Sequence, residues 1–126
     1  MMQYIETTNK SVQEVIEAIK EIVPKHKFGV QHIHNVGETL KSKGIDLENE
    51  CQIVDICNPI IAQKFLSEDM SLSIIMPCKI SVYNQDGDTL IAMNSLVQLV
   101  DDINPDLIDY AQEVQLQLLQ IIDDVK

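Results

Sequence analysis

The sequence has few basic residues: nine Lys and Arg stand against twenty Asp and Glu, which gives a formal net charge of −11 at pH 7. Proteins bind nucleic acid largely by neutralising phosphates with basic side chains, and anionic lipid headgroups attract basic segments in the same way. A chain this acidic, with no basic stripe, is a poor candidate for either partner. We therefore expect no nucleic-acid binding and no membrane association.

Long apolar runs are also missing. No run approaches the roughly 20 residues of a membrane-spanning helix, and residues 1–6 have neither the basic nor the apolar region of a secretory signal. The three cysteines are an odd number, which argues against a secreted disulfide framework. We therefore predict a cytoplasmic protein whose cysteines are thiols at rest.

Common catalytic motifs are absent as well. The sequence contains no P-loop, no G-x-G-x-x-G, no G-x-S-x-G and no H-E-x-x-H. Glu48 and Glu50 are acidic, but nothing in the pattern makes them a catalytic pair. The sequence therefore favours a protein that is not an enzyme.

The chain has 126 residues, of which 45% are hydrophobic. This is the size and composition of one soluble domain, residues 1–126, which can fold without a disulfide or a metal. Hydrophobic periodicity and turn residues divide it into alternating short elements. We predict strands at 2–7, 28–34, 51–57, 72–83 and 89–93, and helices from Ser11 to Pro24, after Asn35, from Asn58 to Glu68, and from Pro105 to the end of the chain.

Local signals support these elements. Ser11 and Glu14 form a capping box at a helix start, and Asp86-Gly87 marks a hairpin turn. The segment from Leu72 to Val82 alternates perfectly, with Pro77 predicted to kink it or place it at an edge. Hairpins and short connections predict an α+β fold: an antiparallel sheet of four or five strands with helices packed on one face, including a long C-terminal helix.

Two cysteines lie where a function is plausible. Cys57 ends a strand just before the cap Asn58 and Pro59, where free N–H groups and the helix dipole would favour a thiolate. Cys78 follows Pro77 on the alternating strand. The plain alternative is that each thiol packs as a small hydrophobe. A disulfide between Cys57 and Cys78 is possible only if their strands are neighbours.

The pair His32 and His34 adds nitrogen ligands. On a strand the spacing directs both imidazoles to one face, together with Phe28 and Val30. With the thiols of Cys57 and Cys78 they would form a ligand set for a metal ion, or would flank a haem. The alternative is two exposed histidines near a strand end.

Acidic residues accumulate near the C-terminus, with seven between Asp101 and Asp124. The ordinary interpretation is a solvated helix face. The alternative is an acidic surface that docks a protein partner.

Several segments resemble the domain of unknown function 302 family. They are Phe28 to His34, Gly37 to Gly44, Glu50-Cys51, Cys57-Asn58-Pro59 and Leu72 to Tyr83. They occur in the family's order over nearly the whole chain, and the H-x-H and C-N-P elements are similar to one subgroup.

The resemblance implies a small α+β domain and a homodimer, and its motif positions are Cys57, Asn58, Pro59, Pro77 and Cys78. We predict a cytoplasmic ligand-binding or accessory module with a cleft around Cys57 and Cys78. The alternatives are a thiol-, metal- or haem-dependent redox protein using the same cysteines with His32 and His34, and an acidic protein-interaction domain. The ligand is expected to be a small molecule.

Overall fold

A computed structural model of the protein describes residues 2–126, so Met1 of the predicted domain lies outside the described residues. These residues form five strands, five α-helices and three short 3₁₀ helices. The strands are β1 (Gln3–Thr8), β2 (Gly29–Asn35), β3 (Cys51–Cys57), β4 (Cys78–Gln85) and β5 (Asp88–Asn94). The α-helices are α1 (Val12–Ile22), α2 (Val36–Ser42), α3 (Pro59–Glu68), α4 (Leu96–Ile103) and α5 (Ile108–Val125), and the 3₁₀ helices are Val23–His26, Met70–Ile75 and Pro105–Leu107.

The strands form one sheet in the order β1-β5-β4-β3-β2, and every neighbouring pair is antiparallel. Asp86 and Gly87 both have positive φ in the β4–β5 turn, as two-residue hairpin turns require. The predicted α+β fold with an antiparallel sheet and a long C-terminal helix is confirmed.

One face of the sheet forms the floor of the core. Alternate residues of β4 and β5, including Ile80, Val82 and Ile91, are buried, while the residues between them are half-buried. Helix α1 packs on β3 and β4, and α5 packs on α1 and α4. The helices therefore cover one side of the sheet, and the opposite side is available to solvent.

The first half of the predicted strand from Leu72 is wrong. Residues Met70–Ile75 form a 3₁₀ helix, and β4 begins only at Cys78, after a cis bond between Met76 and Pro77. The Asp69 side chain caps this helix by accepting a hydrogen bond from the Ser71 backbone N–H at 2.9 Å. Leu72 is fully buried while Ile74 is 82% exposed, so these residues do not share the face that alternation indicated.

Helix α4 was not predicted from the sequence. Its N-cap is Ser95, whose hydroxyl accepts a hydrogen bond from the Gln98 backbone N–H at 3.2 Å. Pro105 begins a short 3₁₀ helix that leads directly into α5. The predicted helix from Pro105 is therefore present, and α4 is an additional helix that packs against it.

A bulge in β2 changes the predicted faces of that strand. The register with β3 shifts between Val30 and His32, so that Val30 lies opposite Ile56 while His32 lies opposite Asp55. An extra residue in one strand reverses the side-chain alternation beyond it. The prediction that Phe28 and Val30 share a face with both histidines is therefore wrong.

Candidate functional site

An apolar cavity lies between α3, the segment 75–78 and the core. We call it the α3 pocket; its walls include Phe28, Cys57, Ile61, Phe65, Met76, Cys78 and Val114. Phe28, Phe65 and Val114 are buried, whereas Ile61, Met76 and both cysteines are half-buried at the rim. The cavity volume is about 30 Å³. No charged side chain among residues 2–126 lines it.

The start of α3 positions Cys57 at this rim. The Asn58 side-chain oxygen accepts hydrogen bonds from the backbone N–H groups of Ile60 at 2.9 Å and Ile61 at 3.2 Å. Pro59 has no N–H, and the Ala62 N–H donates to the Asn58 carbonyl at 2.9 Å. The first donors of α3 are thus occupied, so none remains to stabilise a thiolate at Cys57.

Both pocket thiols are neutral at neutral pH. Burial raises the pKa of Cys57. Burial, together with the proximity of Cys57, raises the pKa of Cys78 to about 11, because an apolar environment disfavours the charged form. Of the two interpretations of Cys57 that the sequence left open, the helix cap and burial both oppose the thiolate and favour a thiol that packs as a small hydrophobe.

The two cysteines meet because β3 and β4 are neighbours. Ile56 lies directly opposite Cys78, so Cys57 is one residue from the position facing Cys78. The three cysteines in the described chain are all free thiols. The structure therefore brings together the predicted positions Cys57, Asn58, Pro77 and Cys78 around one pocket, with Pro59 exposed beside them.

A second cavity of about 230 Å³ adjoins the same segment. It shares Ile75, Met76, Pro77 and Cys78 with the α3 pocket and adds polar groups, among them Lys79 and Asn94. The segment 75–78 is thus a wall between an apolar cavity and a more polar one.

The histidines lie elsewhere, on the solvent side of the sheet. The His32 and His34 rings are in edge contact, with centroids 4.3 Å apart, and His34 Nε2 is 2.9 Å from Asp55 Oδ2. Within residues 2–126, no three His, Cys, Asp or Glu side chains are arranged to hold a metal ion. The structure therefore does not join His32 and His34 to Cys57 and Cys78 as the predicted metal or haem set.

Asp55 is the centre of a polar cluster that was not predicted from the sequence. It is 8% exposed, and it accepts a hydrogen bond from Lys79 Nζ at 2.8 Å as well as the one from His34. Burial raises the pKa of Asp55, but these two hydrogen bonds and charges outweigh it and leave the pKa below its usual value. The sequence does carry a signal for this cluster, because Asp55 is the one acidic residue in the otherwise apolar segment 53–56.

The acidic residues near the C-terminus are all exposed. Some have partners: Asp124 lies 2.8 Å from His26 Nε2, and Asp123 lies 3.2 Å from Lys126 Nζ.

Comparison with known proteins identifies the class. The sequence matches the model of the family described as "Domain of unknown function DUF302" over residues 4–125. The chain therefore belongs to the DUF302 family.

One solved relative is similar along its whole length. The crystal structure of an uncharacterized conserved DUF302 protein from Bacillus stearothermophilus is 31% identical in sequence. It superimposes with a TM-score of 0.95, over 100% of this chain and 99% of the other. No curated protein matches the sequence. Among residues 2–126, no helix is long and apolar enough to cross a membrane.

Proposed function

We propose that this protein is a binding module for a small, uncharged and mainly apolar molecule, which it holds in the α3 pocket. The observation that carries the proposal is the combination of an apolar cavity with two neutral thiols at its rim. A protonated thiol behaves as a small hydrophobe with a weak donor, so the rim is compatible with such a ligand.

The lining argues against a charged ligand. A charge that enters an apolar cavity loses its hydration, and this cost is large unless a partner charge is present. The single polar side chain on the described lining, Asn58, already accepts two hydrogen bonds from α3. An apolar group has no favourable hydration to lose on entering the cavity, and it gains contact with Phe28 and Phe65.

The size of the pocket requires a movable wall. A volume of about 30 Å³ is little more than the space needed by one water molecule. Met76 lines both this pocket and the more polar cavity, and its unbranched thioether adapts easily to a new shape. A ligand that displaces Met76 would place its apolar end against α3 and its polar end near Lys79 and Asn94.

The thiol chemistry favours binding over redox catalysis. Reactive cysteines are thiolates in electropositive surroundings, whereas the pKa values of Cys57 and Cys78 are both raised. Three unpaired cysteines are also what a reducing compartment maintains, so we infer a cytoplasmic location.

A titration with the uncharged fluorescent probe N-phenyl-1-naphthylamine tests the proposal. Ala62→Leu adds three carbons at the pocket wall, and Ser67→Leu is the matched control because Ser67 is exposed on the same helix. We expect saturable fluorescence enhancement with the wild type and with Ser67→Leu, and at least tenfold weaker binding with Ala62→Leu. Equal binding by all three proteins, or none by the wild type, would contradict the proposal.

A further inference from the structure

A groove runs along the outer edge of β1, between that strand and α5. We call it the β1–α5 groove; its walls include Ile5 and Glu6 of β1, and Leu116, Gln120 and Asp123 of α5. Its volume is about 690 Å³. Ile5 is 50% exposed and Leu116 is 69% exposed, so the groove presents two large apolar side chains to solvent. In the described chain it shares no lining residue with the α3 pocket.

The edge of β1 is regular and unprotected. The strand order places β1 and β2 at the two edges of the sheet. All six residues of β1 pair with β5 without a register shift, whereas the bulge interrupts β2. Residues 3–8 include neither lysine nor proline, and these residues and bulges are the usual means of blocking a sheet edge. The outer backbone groups of β1 are therefore a template on which an extended segment can pair.

Helix α5 is tied to β1 at both ends of the groove. At one end, Gln115 Nε2 donates a hydrogen bond to the Tyr4 hydroxyl at 3.0 Å. At the other end, Lys126 Nζ donates to Glu6 Oε2 at 3.4 Å. The helix therefore forms a fixed wall beside the strand edge.

The strand register shows which side chains would face an added strand. Tyr4 and Glu6 lie opposite Met93 and Ile91, which are buried under the helices, so Ile5 between them lies on the other side of the sheet. Side chains alternate along a strand. An added strand would therefore direct alternate side chains towards α5 and would place the others beside Ile5.

The groove changes from apolar to acidic along its length. Leu116 lies next to Gln115 at the Tyr4 end. At the opposite end, Glu6 and Asp123 both contact Lys126, at 3.4 and 3.2 Å, and their side chains are 49% and 63% exposed. Exposed ion pairs contribute little to stability, so a basic side chain from a partner can share these two acids. The net charge of −11 attracts a basic partner further.

We propose that the β1–α5 groove binds an extended peptide segment of another protein, which adds to the sheet as a strand beside β1. The segment has two neighbouring apolar residues, one against Leu116 and one beside Ile5, and then a Lys or Arg at Glu6 and Asp123. A second copy of β1 does not fit this description, because residues 3–8 contain no basic residue. Six residues of β1 at about 3.4 Å each offer an edge of about 20 Å, which accommodates about six residues of the partner.

Selection from a display library of random nine-residue peptides tests the proposal. We expect enriched peptides to contain two apolar residues next to a Lys or Arg. Fluorescence polarisation then compares the best synthetic peptide on the wild type and on two matched variants. Leu116→Lys puts a positive charge in the groove, while Ile45→Lys makes the same change at a position, 53% exposed, that does not line it. We expect at least tenfold weaker binding with Leu116→Lys and unchanged binding with Ile45→Lys.

Backbone pairing is tested with two N-methylated forms of that peptide, one methylated at odd and one at even positions. In an added strand, the N–H groups of alternate residues face β1, so one form should bind at least tenfold more weakly than the other. A library without enrichment, or equal binding by Leu116→Lys and the wild type, would overturn the proposal. So would equal binding by the two methylated forms. Self-association of the wild type that is lost in Leu116→Lys would assign the groove to a second copy and would overturn it as well.

Discussion

The chemical state of Cys78 provides the sharpest prediction. Iodoacetamide alkylates the thiolate rather than the thiol, so its rate reports both ionisation and access. Because burial and the nearby Cys57 raise the pKa of Cys78 to about 11, we expect Cys78 to react slowly in the folded protein. Unfolding in urea tests this expectation, because it removes the burial that raises the pKa of Cys78.

The expected magnitude follows from the ionised fractions. At pH 8, a thiol with a pKa of about 11 is ionised to roughly one part in a thousand, against roughly a tenth for a thiol at the ordinary value of 9.0 from which burial raises this pKa. The ratio is about 100-fold. Steric protection by the pocket walls adds to this, so we expect labelling of Cys78 to be slower in the folded chain than in urea by about 100-fold or more.

The assay is a time course of iodoacetamide labelling, with each cysteine quantified by peptide mass spectrometry. The same peptide labelled in urea is the control for intrinsic reactivity. The pKa of Cys57 is also raised. Cys57 should therefore also be labelled more slowly in the folded chain than in urea, but by a smaller factor than Cys78. Labelling of folded Cys78 within tenfold of its unfolded rate would refute the neutral-thiol account of the pocket.

Three further predictions concern stability. Leu72→Ala should lower the free energy of unfolding by about 2 to 5 kcal/mol because Leu72 is fully buried. Ile74→Ala should change it by less than about 0.5 kcal/mol because Ile74 is exposed. Equal losses for the two variants in urea denaturation would favour the predicted strand over the 3₁₀ helix. Ser11→Ala removes the hydroxyl that caps α1 at 3.1 Å and should cost about 1 kcal/mol in the same assay, and an unchanged midpoint would contradict this. Asp55→Asn should cost about 1 to 2 kcal/mol at pH 7. Because the folded pKa of Asp55 is lowered, its contribution is complete well above the unfolded value of about 3.9 and is lost as pH falls through the folded pKa. The difference between wild type and Asp55→Asn should therefore shrink from pH 6 towards pH 3, and a constant difference would contradict the assignment.

Some elements could be predicted closely because their signals are local. The predicted boundaries of β3 coincide with the observed strand, Cys51–Cys57, and α3 begins after the Asn58 cap as predicted. In each case the residues that determine the boundary are adjacent in the chain. The prediction of a strand from Leu72 was wrong because a 3₁₀ helix capped by Asp69 can carry the same alternating pattern of apolar residues.

The candidate site was only partly predictable. Cys57 and Cys78 could be linked because neighbouring strands bring their ends together. Val114 of α5 also lines the pocket, but its contribution depends on how distant helices pack, which a single sequence does not show. The state of the Cys57 thiol stayed open in the sequence because the pattern does not show that the Asn58 side chain, rather than the thiol, takes the free N–H groups of α3.

The most direct test of the binding proposal is diffraction from crystals soaked in iodobenzene, with the iodine located by its anomalous signal. The account predicts an iodine peak inside the α3 pocket, between Phe65 and Cys78, with the Met76 side chain displaced towards the polar cavity. Ordered crystals with no iodine in that pocket, or with iodine bound only elsewhere, would contradict it.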